Sequence, residues 1–105
     1  MPPTKKERIV EILPSKTQTK KYAARVRDKE GHERTINFGA KGYEQYRDST
    51  PIKKYSKKDH GDSERRKKYF QRHSGVPGKR NALNKEWKKS KGKYNAKILS
   101  HQYLW

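Results

Sequence analysis

The stretch Lys20-Lys21-Tyr22-Ala23-Ala24-Arg25-Val26-Arg27-Asp28 decides the fold. Tyr22, Ala24 and Val26 fall on one side of an extended chain, and Lys21, Ala23, Arg25 and Arg27 fall on the other. That alternation is the signature of a half-buried strand. Next along the chain, Asp28-Lys29-Glu30-Gly31 is a short loop with glycine where a positive φ is wanted. Glu33 to Phe38 alternates again, with Ile36 and Phe38 inward. Upstream, Arg8-Ile9-Val10-Glu11-Ile12-Leu13 is rich in β-branched residues and stops at Pro14-Ser15. Three strands with one apolar face are about the minimum for independent stability. The pattern predicts a three-stranded antiparallel meander.

Downstream the chain changes character. Gly39-Ala40-Lys41-Gly42-Tyr43 reads as a turn with an unusual backbone conformation. Residues 43–61 show no convincing period, and the expectation is an extended basic arm or loop. Asp62 or Ser63 is placed to cap a helix over Glu64 to His73, with Glu64 in the first turn where the helix dipole favours an acid. Ser74-Gly75-Val76-Pro77-Gly78 ends it. A second helix is expected from Arg80 to Lys89, burying Leu83 and Trp87 at i, i+4 spacing. Asn95 to Trp105 holds Ile98, Leu99, Tyr103, Leu104 and Trp105, the most apolar stretch of the chain. It is expected to fold back on the meander as core, with insertion into a neighbouring subunit as the other reading.

The predicted class is therefore α+β: a meander over residues 1–42, a basic arm over 43–61 and a basic helical segment with an aromatic C-terminus over 62–105. The three parts form one small domain with two or three short helices.

Charge sets the class of partner. The 105 residues carry 29 Lys and Arg against 11 Asp and Glu, a formal net charge of +18. Residues 1–50 hold twelve basic and seven acidic side chains, whereas residues 51–105 hold seventeen and four. So the meander is nearly balanced and the second half carries the excess. Such a chain repels itself and attracts polyanions: nucleic acid, anionic lipid or an acidic protein face. Only 28% of residues are hydrophobic, and mean hydropathy is −1.54. A chain this polar is expected to be held in place by partners.

Several classes fall away. With no cysteine, disulfides and thiolate metal sites are out. The start lacks the apolar segment of a secretory signal, and no apolar run approaches the ~20 residues of a membrane helix. Peripheral contact with anionic lipid is still compatible with the charge. Catalysis needs a base or positioned carboxylates in a cleft, yet Asp59, Asp62, Glu64 and Glu86 are the acids of the second half and all lie among Lys and Arg. Asp59-His60-Gly61-Asp62 with His73 can be drawn as a metal site, but no second cluster completes its shell. Neither enzyme activity nor a cofactor nor a metal is expected.

The basic runs are the better candidates for partner or phosphate binding. They are Lys53, Lys54, Lys57 and Lys58 around Tyr55, then Arg65, Arg66, Lys67, Lys68 and Arg72 around Tyr69 and Phe70, then Lys88 and Lys89. Cations interleaved with aromatics suit phosphate contact with base stacking, and equally a protein interface. Both partners stay open. Tyr69, Phe70, Trp87, Tyr103 and Trp105 are the candidate aromatic anchors.

Three blocks carry a resemblance. Phe38-Gly39-Ala40-Lys41-Gly42-Tyr43 with Tyr46 resembles an FGAxGxxDY block. His60, Asp62, Glu64-Arg65-Arg66-Lys67, Tyr69 and Arg72-His73 resemble HxDxERKxxYxxRH, and Ser100 to Trp105 is similar to an SRxxLW ending. Together they resemble a family of small basic proteins of large nucleocytoplasmic DNA viruses of algae and amoebae. The connection at Ser74 to Gly78 departs from the pattern. The resemblance implies a structural virion protein, in particular a minor capsid protein cementing larger coat proteins on the inner face of the shell. It would reside in the virion and, during infection, in the virus factory, cytoplasm or nucleus. The alternative is a nucleic-acid-binding protein that neutralises or organises packaged DNA.

Overall fold

A computed structural model of the chain describes residues 5–105. Three antiparallel strands, β1 (Glu7–Pro14), β2 (Lys20–Asp28) and β3 (Glu33–Ala40), lie in the order β1-β2-β3. Three helices follow: α1 (Ser63–Ser74), α2 (Lys79–Lys89) and α3 (Ala96–Tyr103). The predicted α+β architecture is what forms. The Cα radius of gyration, 13.5 Å, matches the ~13 Å of a single 100-residue domain. Among the described residues no helix is long and apolar enough to cross a membrane.

The inward face of β2 is buried as its alternation predicts, but Lys21 and Ala23 of the opposite face are buried too, which leaves only Arg25 and Arg27 to solvent. Tyr22, Ala24 and Val26 are all fully buried and pair with Phe38, Ile36 and Arg34 of β3. They face Trp87, Tyr94, Ile98, Leu99 and Leu104 from the helical half. On the solvent face Arg25 meets Glu11 at 2.9 Å and Glu33 at 3.5 Å, and Arg27 also bonds Glu33. These exposed pairs contribute little to stability. The pairing register of β1 shifts between Ile9 and Glu11, as at a bulge in an edge strand.

The helix ends follow their caps. The Asp62 carboxylate accepts from the amides of Glu64 and Arg65, and Asn95 does the same for Ile98. Gly75 closes α1 in the left-handed region, φ 74°, donating to the Gln71 carbonyl.

Residues 43–61 depart from the expected extended arm. Gln45, Asp48 and Thr50 are buried, the amides of Arg47 and Ser49 donate to the carbonyls of Leu104 and Tyr103, and Ser56–Lys58 forms one 3₁₀ turn. The cause is polar and therefore invisible to a hydrophobic-period search. Asp48 accepts from the Tyr22 hydroxyl, from the amide and hydroxyl of Thr50 (3.0 and 2.6 Å) and from the Tyr55 amide at 3.1 Å. Burial pushes the Asp48 carboxyl up, but the bonds from Thr50 and Tyr22 outweigh it and leave the group below its usual range. Lys21, 2% exposed, reaches from β2 to the Tyr43 carbonyl at 2.7 Å and to Gln45 Oε1. Desolvation lowers its pKa.

Candidate functional site: a basic groove

Three sequence-distant segments meet on one concavity of about 550 Å³. Its floor is Gly39 and Ala40 at the end of β3, Ala96 of α3, and Leu104 and Trp105 beyond α3. Its walls carry Lys20 of β2, Glu44 of the loop, Arg65, Lys68 and Arg72 of α1, and Lys97 of α3. Gly39 makes the floor feasible. Its φ is +78°, and a Cβ there would lie 2.8 Å from Leu104 Cδ1. The glycine therefore lets the C-terminal Leu104 seat against β3.

Spacing on α1 decides which cations face the groove. Arg65, Lys68 and Arg72 stand at i, i+3 and i+7, on one side of the helix. Glu44, an acid of the lining, is already 3.1 Å from Arg65. Lys97 bonds the His73 carbonyl at 3.1 Å and lies 3.9 Å from Glu86. Among the described residues Lys20, Lys68 and Arg72 have no carboxylate within salt-bridge distance.

The other predicted cations go elsewhere. Arg66 folds inward: its guanidinium lies 4.5 Å from the Tyr46 ring, and its Nε donates to the Trp105 carbonyl at 2.9 Å. Lys67 pairs with Glu64 at 3.5 Å. Lys53, Lys54, Lys57 and Lys58 are exposed on the loop, and Lys88 and Lys89 are exposed at the end of α2, all outside the groove lining.

The aromatic anchors need correction. Phe70 is fully buried and Trp87 only 4% exposed, because a core this short of aliphatics recruits its large aromatics. They cannot reach a partner. Tyr103 packs on Phe38 at 6.1 Å. Tyr69 and Trp105 do line the groove, but each spends a ring face on the other, stacked with centroids 4.1 Å apart. His60 also packs against the indole, tilted by 56° with centroids 5.2 Å apart. Tyr43, 72% exposed on the lining, is the residue that sequence reading left out of the anchor set.

Beneath the groove runs a sealed polar chain. The Tyr69 hydroxyl bonds His101 Nδ1 at 2.9 Å, His101 Nε2 meets Ser74 Oγ at 2.8 Å, and Ser74 donates to Glu86 Oε2 at 2.9 Å. A neutral imidazole protonated on Nε2 satisfies every member. Burial drives the His101 pKa down to about 4 and raises that of Tyr69. The trio of Ser74, His101 and Glu86 resembles a nucleophile with its base, but Ser74 and Glu86 are 3% exposed and His101 is 0% exposed. Its role is to tie α1, α2 and α3 together.

The residues drawn as a metal site also have internal uses. His60 Nδ1 accepts from the Asp62 amide at 2.9 Å, Asp62 caps α1, and Asp59 Oδ1 accepts from Gln45 and from the Asp48 amide, both at 2.7 Å. His73 sits at the other end of α1, against Tyr69.

Residues 10–57 match a family of unknown function (DUF5754). The match covers most of the sheet and the loop through its 3₁₀ turn's second residue, and leaves α1, α2 and α3 outside. Neither the curated proteins nor the solved structures give a match to the chain.

Proposed function

We propose that the protein is a small, non-catalytic structural component of a virion, a minor capsid protein that docks on the acidic surface of larger coat proteins. The observation that carries this reading is the convergence of the three resemblance blocks on one basic groove: Gly39, Ala40 and Tyr43 from the first, Arg65, Tyr69, Arg72 and His73 from the second, Ser100, Leu104 and Trp105 from the third. Unpaired cations around a shaped concavity give charge complementarity and orientation together, which is what a cementing contact needs. The buried Ser74–His101–Glu86 chain supports a scaffold role, since its polar groups face one another and not a substrate.

The test is fractionation of purified particles with an antibody to this chain. Release with coat protein as the shell is stripped is expected; recovery with the genome core would sink the capsid role.

A second reading, binding to packaged DNA, is favoured by the exposed cations Lys53, Lys54, Lys57 and Lys58 on a loop whose backbone is already fixed. It requires affinity for random duplex within the ~10⁻⁴–10⁻⁶ M of non-specific binders at physiological salt, with a steep salt dependence.

A further inference from the structure

We propose that the groove receives an extended acidic peptide segment of a partner protein, carrying one apolar side chain that seats on the floor. This deepens the docking reading above and rests on it.

The charge balance gives the sign of the occupant. Lys20, Lys68 and Arg72 have no carboxylate partner among the described residues, and Glu44 on the lining is held by Arg65. Net positive potential is focused inside a concavity with low-dielectric walls. The floor gives the second requirement. Ala40, Ala96 and the indole of Trp105 present apolar surface among those cations, with Leu104 buried behind them, so a fitting ligand brings an apolar group flanked by negative ones. A concavity of this size lies within the range of specific ligand sites.

Nucleic acid meets the first requirement and fails the second. Its phosphates would satisfy the cations, but bases bind such grooves by stacking on free aromatic faces. Tyr69 and Trp105 are stacked on each other with planes 4° apart, His60 lies at 5.2 Å from the indole, and Phe38 and Phe70 are fully buried. Tyr43 offers one exposed ring at the rim. A phosphodiester backbone has nothing for the apolar floor. An acidic peptide with a leucine or aromatic side chain matches both.

The experiment uses the full chain and fluorescein-labelled twelve-residue peptides read by anisotropy. One peptide is Glu- and Asp-rich with a central Leu, the second replaces that Leu by Ser, and a single-stranded DNA oligomer of equal charge competes. Lys68 and Arg72 are exposed, so the Lys68→Glu/Arg72→Glu variant is expected to keep the wild-type circular dichroism. We expect at least tenfold weaker binding of the Leu peptide to that variant, and about fivefold weaker binding of the Ser peptide to the wild type. Lys53→Glu/Lys54→Glu is expected to change peptide affinity less than threefold. Equal affinity for the Leu and Ser peptides, or tighter groove binding by the DNA oligomer, overturns the proposal. A protein that releases with the shell yet ignores the Leu peptide overturns the occupant and leaves the docking role standing. One that binds the peptide but fractionates with the genome overturns the docking role alone.

Discussion

The phenol of Tyr69 lies flat on the indole of Trp105, with ring centroids 4.1 Å apart and planes within 4°. The contact joins the middle of α1 to the end of the aromatic C-terminal stretch. It also fixes the groove, because both rings line it. Trp105→Ala removes a half-buried indole and an aromatic pair, and is expected to cost about 2–3 kcal/mol. Tyr69→Phe keeps the stack but orphans the buried His101 Nδ1, at about 1–2 kcal/mol. Urea denaturation of the two variants checks this ordering; a Tyr69→Phe loss larger than that of Trp105→Ala would show that the hydroxyl, not the stack, holds the C-terminus.

Gly39→Ala is expected to destabilise by about 2–4 kcal/mol. The new methyl group would stand 2.8 Å from Leu104 Cδ1 at φ +78°, combining overpacking with left-handed strain. Gly31→Ala shares the positive φ, +90°, but meets nothing within 4 Å, so its cost is the strain alone, about 1–2 kcal/mol. Equal melting temperatures for the two variants would contradict the role given to the Gly39–Leu104 contact.

Stability is expected to fall on mild acidification. The His101 pKa is about 4 in the folded chain against about 6.5 unfolded. Between those values the unfolded chain binds more protons, so stability present above pH 6.5 is lost as pH falls toward 4, by up to about 3 kcal/mol. His60 and His73, also lowered by burial, act in the same direction. Burial is the main cause; Glu86 on α2 opposes the shift, while His73 on α1, Lys97 on α3 and Lys79 on α2 add to it, and the neutral Tyr69 hydroxyl bonds Nδ1. Denaturant unfolding at pH 7, 5.5 and 4.5 should show this slope, and His101→Gln should flatten it while lowering stability at pH 7. A wild-type profile that is level from pH 7 to 4.5 would refute the assignment.

Asp48→Asn is expected to release the loop before the rest of the fold. The carboxylate accepts from Tyr22, Thr50 and Tyr55, and an amide turns one acceptor into a donor facing donors. The cost is about 2–3 kcal/mol. Trypsin should then cut at Lys53 to Lys58 under conditions that leave the wild type whole. Unchanged protection of those sites would mean that Lys21 and Gln45 suffice to hold the loop.

What was legible in the sequence was periodic. The alternation of Tyr22, Ala24 and Val26, the Asp62 cap and the Gly75 stop all act through local rules, and each appears where the chain spells it. The packing of residues 43–61 was not legible, since it depends on long-range bonds from Lys21 and Tyr22 to polar side chains without a period. The candidate site was half legible. Arg65, Lys68 and Arg72 were named, but their selection from a continuous basic run required knowing which side of α1 lines the groove. Phe70 and Trp87 were misread as anchors because exposure of an aromatic is set by how much aliphatic core the fold has elsewhere. Lys20, Tyr43 and Lys97 had no signal of their own; only the Gly39-Ala40-Lys41-Gly42-Tyr43 turn hinted at a special backbone nearby.

The most direct measurement of the groove as the binding site uses the two tryptophans. Trp105 lines the groove, whereas Trp87 is 4% exposed and packs on Tyr94 in the core. Their indole N–H signals in a nitrogen-15 proton correlation spectrum are two separate reporters within one molecule. On titration with the acidic Leu peptide, the Trp105 indole and the amides of Ala40, Tyr43, Lys68 and Arg72 should shift together while the Trp87 indole stays still. Shifts confined to residues 53–58 and 88–93, with the Trp105 indole unmoved, would contradict the groove as the place where this charge is used.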